Sequence, residues 1–235
     1  GEQSDAALRQ AAESLRGQLL VGVINSIGVR RDKKAVPILI ARLQNGDVEV
    51  AAAAAVAMGR IADDEATLAL QKALPMVSAE LKSSVAEACV LAAEYRLLNG
   101  QKQKAAEIYD QVRNADVPIQ RIVEATRGAI LARDQEGVPL LIQTLRSKEK
   151  KLRQLALATV REFPGDRIDT ALAAELNEAS PERAVFIIQA MADRPQTVVL
   201  PAILSAVREG NPMVQSAAID SLRRVGDESC LPILL

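Results

Sequence analysis

Histidine and tryptophan are absent from this chain of 235 residues, and its aromatics stop at Tyr95, Tyr109, Phe163 and Phe186. Without histidine, the commonest general base, the Ser-His and Cys-His nucleophile pairs and the commonest metal ligand are all missing. So few aromatic faces leave single-stranded nucleic acid and many sugars without their usual stacking platforms. A net charge of −1 provides no field to gather a polyanion. Nucleic acid is therefore not an expected partner.

Other absences point the same way. No apolar run approaches the roughly 20 residues that span a bilayer, so the chain is not expected to cross a membrane. Glycine-rich phosphate loops, Cys-x-x-Cys pairs and Gly-x-Ser-x-Gly elbows do not occur. Carboxylate pairs such as Asp63-Asp64 fall in turns, away from any recognisable pocket. The expectation is no catalytic residue, no cofactor and no metal in this segment, which is read as non-enzymatic. The two cysteines, Cys89 and Cys230, are 141 residues apart. Cys89 reads as a small buried hydrophobe within an apolar run.

What the chain does have is a repeated frame. Val36-Pro37-Ile38-Leu39, Val138-Pro139-Leu140-Leu141, Leu200-Pro201-Ala202-Ile203-Leu204 and Leu231-Pro232-Ile233-Leu234 place their prolines 102, 62 and 31 residues apart. These are three, two and one copies of a single unit. A period of that size marks stacked helical pairs, each burying its apolar face against its neighbours. With 49% apolar and 25% charged residues, the composition is that of a folded chain rather than a disordered one.

Each unit reads as helix A, a turn, then helix B. Pro37 suits the first turn of an A helix, where its missing N–H is harmless, and Asp47 is placed to cap the B helix that follows. The B helices align as Leu19–Gly28, Val50–Gly59, Leu152–Arg161, Arg183–Ala192 and Val214–Arg223. Their expected inward stripes are Leu19, Val23 and Ile27; Val50, Ala54 and Met58; Leu152, Ala156 and Val160; Val214, Ala218 and Leu222. A longer B helix is expected from about Ala79 to Leu98, closed by Asn99-Gly100.

The frame Val-Pro-x-Leu-Leu, then Val-x-x-Ala-Ala-x-x-x-Leu and Gly, resembles the short bacterial HEAT repeats also called phycobilin-lyase-like repeats. Pro201 to Gly226 carries it most cleanly. The resemblance implies an all-α fold, an α-α superhelix or HEAT/ARM-like solenoid of about seven helical pairs. It would run as a single solenoid over 1–235, with an irregular, tetratricopeptide-like section at about 65–135. The segment Val21 to Asp32 is similar to one in large exported bacterial HEAT-repeat proteins, some fused to a domain like 3-keto-disaccharide hydrolases. That likeness implies an extracytoplasmic location, with the cytoplasm as the alternative, and a role as accessory domain of an exported carbohydrate-active enzyme. Ending inside the first helix of a new repeat, the chain reads as a piece of a longer protein.

Three functional readings follow. The favoured one is a non-catalytic interaction scaffold that binds a protein, a peptide, a helix or a downstream domain of the same chain on the face lined by the B helices. A bilin lyase or chaperone is the alternative enzyme reading, weakened by the missing His and Trp. A HEAT-like DNA glycosylase would need a basic groove and aromatic base contacts, and di-iron helical-repeat hydroxylases need His-Glu pairs.

Counting along each B helix gives the partner-binding candidates Asn25, Gln154, Gln189, Ser216 and Asp220, with Arg30 and Arg31 in the turn after the first B helix. Asn25 either grips a ligand backbone through its amide or bonds a neighbouring helix. Arg30 and Arg31 either form a docking edge or cap helix carbonyls and pair internally. The basic run Arg146, Lys148, Lys150, Lys151 and Arg153 reads as a solvated turn, and the resemblance to HEAT repeats implies that Arg153 bonds the turn of a neighbouring repeat.

Overall fold

The computed structural model describes residues 1–45, 47–194 and 200–234. It divides into two compact units, Gly1–Arg133 and Asp134–Leu235. Among the described residues the secondary structure is helical throughout, without a strand. The A and B helices form seven pairs and the start of a further one, a HEAT/armadillo-like helical-repeat architecture.

In the first unit the pairs are α1 (Glu2–Ser14) with α2 (Gly17–Arg30), α3 (Val36–Asn45) with α4 (Val48–Ile61), α5 (Asp64–Ala73) with α6 (Ala79–Leu98), and α7 (Lys102–Arg113) with α8 (Ile119–Leu131). Pro37 stands in the first turn of α3, as its fixed φ favours. Asp47 caps α4 by accepting from the Val50 N–H at 2.9 Å, and Asp63 does the same for Ala66 at 2.8 Å. Gly46, in the turn between α3 and α4, lies outside the described residues. The long helix α6 ends as its sequence indicates: Gly100 takes φ +74°, and the N–H of Gln101 returns to the Arg96 carbonyl.

The B helices α2, α4 and α6 lie side by side because small residues let their backbones approach. A Cβ on Gly28 would sit 2.8 Å from the Ala57 Cα, and one on Gly59 would sit 2.5 Å from the Ala88 carbonyl oxygen. Val50, Ala54 and Met58 are buried as their spacing implies.

The first repeat departs from the expected stripe. Ile27 is buried as expected, but Leu19 is 70% exposed and Val23 half-buried, and α2 buries Leu20 and Ile24 in their place. The reason is positional. The equivalents of Leu19 and Val23 in α4 lie on the face that meets α2, whereas α2 has no B helix on that side among the described residues.

The second unit pairs α9 (Val138–Leu145) with α10 (Lys150–Glu162), α11 (Arg167–Glu178) with α12 (Pro181–Ala192), and α13 (Leu200–Glu209) with α14 (Pro212–Val225). The short α15 (Leu231–Leu234) follows, with Pro232 in its first turn. Ala156 and Val160 on α10 and Val214, Ala218 and Leu222 on α14 are buried as expected, and Leu152 is half-buried.

Arginines tie consecutive pairs together. Arg42 donates to the Ala12 and Glu13 carbonyls at 2.7 and 3.0 Å, filling orphan acceptors at the end of α1. Arg96, 6% exposed, reaches Asp64 Oδ1 at 2.8 Å, Gln101 Oε1 at 2.9 Å and Thr67 Oγ1 at 3.1 Å. In the second unit Arg194 donates to the Val160, Phe163 and Gly165 carbonyls at 2.6, 2.6 and 2.8 Å, and also to Asp169.

Candidate B-helix interaction face

Helical period and repeat register together decide which side chains leave the core. On α10, α12 and α14, Ala158, Gln189 and Asp220 are all exposed at successive 31-residue steps. Gln154 and Ser216 are exposed one turn earlier on their helices. The structure therefore brings Gln154, Gln189, Ser216 and Asp220 onto one face of the second unit. Asn25 is exposed at the corresponding place on α2 in the first unit. Among the described residues, none of these five side chains makes an intramolecular hydrogen bond or ion pair.

Arg30 and Arg31 are engaged inside the first unit. Arg30 pairs with Asp5, whose carboxyl is held below the usual range chiefly by that hydrogen bond, and also reaches the Gly1 carbonyl at 3.4 Å. Arg31 ends α2 in the left-handed conformation, and its guanidinium lies 4.7 Å from the centre of the Tyr95 ring on α6. Of the two readings open for this turn, internal pairing describes the geometry.

Of the basic run beside α10, the two arginines are engaged and Lys148, Lys150 and Lys151 are exposed. Arg146 donates to Glu175 at 2.5 and 2.8 Å and to Glu178 at 3.3 Å, linking α9 to α11. Arg153 donates to the Ser147 and Lys148 carbonyls at 2.9 and 2.7 Å, within the turn of its own repeat rather than a neighbour's. The side chain folds back onto the carbonyls of the turn that leads into its own helix.

Sequence reasoning missed two features of this face. Phe186 on α12 is 46% exposed one turn before Gln189, beside Leu157 of α10. With Leu157 it lines a small gap between α10 and α12. As one of only four aromatics in the chain, it carried a signal that the 31-residue count passed over. The second feature is a charge ladder at the C-terminal ends of the helices. Asp193 accepts from Arg161 of α10 at 2.6 Å and from Arg224 of α14 at 2.5 Å, pinning three successive B helices in register.

No family model matches this chain. No curated protein matches it either. Solved structures do: YibA of Escherichia coli is 18% identical over 98% of this chain and 84% of that one, with a TM-score of 0.53. That likeness shows the fold. Further matches are an archaeal HEAT-like repeats protein from Thermococcus onnurineus and the complex of CpcE and CpcF of phycocyanin lyase from Nostoc. The archaeal protein is 15% identical over 95% of this chain and 98% of that chain, at a TM-score of 0.49. The Nostoc complex is 18% identical over 96% and 83%, at a TM-score of 0.42.

Other chemistry on the molecule is muted. Among the described residues no three His, Cys, Asp or Glu side chains gather to hold a metal ion, and no helix is long and apolar enough to cross a membrane. Burial pushes the Cys89 thiol up to about 12 and raises the Tyr109 hydroxyl as well. Glu94 on α6 is raised, first by burial and then by the like charge of Glu124 on α8. The larger open grooves lie between A helices. One, of about 690 Å³, runs between α3 and α5 over Ile40, Leu43, Leu68 and Met76. Another, of about 670 Å³, runs between α9 and α11 over Val138, Ile142 and Ala171.

Proposed function

We propose that this chain is a non-catalytic interaction scaffold, and that the B-helix face of its second unit holds an extended peptide or a partner helix. The observation that carries the reading is the exposed set Gln154, Gln189, Ser216 and Asp220, which lies across three parallel helices with no partner among the described residues. Polar groups held on a preformed helical surface can meet a ligand's backbone with little ordering cost. A glutamine amide offers both donor and acceptor to a main chain, and Phe186 adds the apolar anchor that such sites use.

The face carries charges of both signs, with the exposed Lys151 one turn before Gln154 on α10 and the exposed Arg223 one turn after Asp220 on α14, which favours an uncharged or mixed segment over a polyanion. The Arg161–Asp193–Arg224 ladder supports the face by holding its three helices in register.

The test is selection of binders from a displayed random-peptide library on the immobilised chain, followed by titration of selected peptides. Gln189→Arg with Asp220→Arg should weaken binding by roughly tenfold or more without changing the thermal midpoint, since both side chains are solvated. Selected peptides that bind the double variant as well as they bind the parent would end the assignment of this face.

A further inference from the structure

The seam between α10 and α12 holds two cations for which the second unit supplies no counterion. Arg146, Arg161, Arg167, Arg194 and Arg224 each meet a carboxylate. Arg153 in the first turn of α10 and Arg183 in the first turn of α12 are half-buried, yet neither forms an ion pair among the described residues. Their hydrogen bonding is also incomplete. Arg153 donates through Nη1 alone, to the Ser147 and Lys148 carbonyls, and Arg183 through Nη2 alone, to the Glu178 carbonyl at 3.3 Å. Arg183 Nε is shut off from solvent and has no acceptor. A buried donor in that state costs free energy that an incoming acceptor would recover.

Both arginines line the small gap beside Leu157 and Phe186, about 20 Å³ in volume. That is room for one oxygen-sized group. The remaining charged residue on the gap, Glu175, is already bonded to Arg146 at 2.5 and 2.8 Å. In the same two turns the exposed Lys150 and Lys151 balance the exposed Glu149 and Glu182, so the local excess of charge is that of the two arginines. The positive ends of α10 and α12 add to it.

A planar carboxylate suits this place. One oxygen fills the gap, and guanidinium groups present paired N–H donors to such an anion. A tetrahedral phosphate is too bulky for a gap of this size, and its further oxygens would lie against Leu157 and Phe186. Phe186, 46% exposed, favours an apolar residue next to the acid. The gap also lies within the peptide face, with Gln154 on α10 to one hand and Ser216 on α14 to the other. A segment that uses both flanks continues past the gap, so the acid is a side chain and not a chain end.

We propose that Arg153 and Arg183 form a carboxylate pocket in the B-helix face, which selects an extended segment carrying an internal aspartate or glutamate beside a bulky apolar residue. The pocket rests on the reading of this face as a peptide site, and it narrows the partner from an uncharged or mixed segment to a mixed one.

The experiment takes the peptides selected on the immobilised chain and titrates each, by fluorescence anisotropy, against the full chain and its Arg183→Met variant. Selected peptides should share an internal Asp or Glu next to an apolar residue. Replacing that acid by its amide should weaken binding to the parent by roughly tenfold or more, and to Arg183→Met hardly at all, because the two changes remove the same contact. Arg183→Met should keep the thermal midpoint of the parent, since the lost side chain had its Nε unpaired. Arg183→Lys keeps the charge without the planar fork, so it should bind the acidic peptides with intermediate affinity, and it carries the test should the methionine variant fold poorly. Amidating the peptide C-terminus should change nothing. Peptides without a shared acid overturn the proposal, as does an acid whose loss costs as much on Arg183→Met as on the parent, or one that acts only as the C-terminal carboxylate. Peptides that are lost with Gln189→Arg and Asp220→Arg but ignore Arg183 end this pocket and leave the peptide face standing; a library that yields no binder ends both.

Discussion

Replacing Arg194 by methionine should be among the most damaging single changes in the second unit. The guanidinium is 7% exposed and donates to the carbonyls of Val160, Phe163 and Gly165 and to both carboxylate oxygens of Asp169, at 2.6 and 3.2 Å. Asp169 is itself 5% exposed. Methionine keeps much of the aliphatic volume but leaves a buried carboxylate and three carbonyls without that donor. Removing one partner of a buried ion pair typically costs about 3–5 kcal/mol, because the remaining charge is uncompensated. Each orphaned carbonyl adds roughly 1 kcal/mol where water cannot reach it. Local opening would return some solvation, so about 4 kcal/mol is the working figure. With a urea dependence of about 2 kcal/mol per molar, the affected unfolding transition should move down by roughly 2 M. Far-ultraviolet circular dichroism in urea measures this directly. Adding Asp169→Leu to Arg194→Met should recover part of the loss, since the stranded charge is then gone while the carbonyls remain unpaired. A shift under roughly 0.5 M for Arg194→Met would refute the reasoning, as would a double variant no more stable than the single one.

Two further outcomes are expected. Gly59→Ala should destabilise by about 1–3 kcal/mol, because its methyl would press on the Ala88 backbone and force α4 from α6; Gly22→Ala, facing open space, should gain up to about 1 kcal/mol from helix propensity, and the same urea assay separates the two. Asp116 is held below the usual carboxylate range by its hydrogen bond to Lys82, so the stabilisation from this pair is full above the ordinary aspartate range and fades as pH falls through the lowered value. The small difference in melting temperature between the parent and Lys82→Met should therefore close on acidification and shrink in salt; a gap constant with pH would count against the pairing.

The period of 31 residues, the A-helix prolines, the Asp47 cap and the long helix from Ala79 to Leu98 all come from local rules, and the sequence determined them by itself. So did the exposed positions Gln154, Gln189, Ser216 and Asp220, because a helix face and a repeat register are both linear in residue number. The pairing of long side chains was not legible in that way. Arg30 and Arg31 read equally well as a docking edge and as an internal tie; only the positions of Asp5 and Tyr95 in space settle on the tie. The Arg194 clamp and the Arg161–Asp193–Arg224 ladder likewise join atoms about 30 residues apart whose meeting depends on how neighbouring helices stack.

Leu19 and Val23 show the limit most clearly. Their spacing is that of the buried Val50 and Ala54, but burial requires a second surface, and α2 has none on that side within the described chain. Sequence periodicity determined which face of α2 is apolar. Tertiary structure alone decided which of those apolar positions meet a neighbour within the described residues, because the hydrophobic effect sets what favours contact and the stacking of neighbours sets whether contact is made.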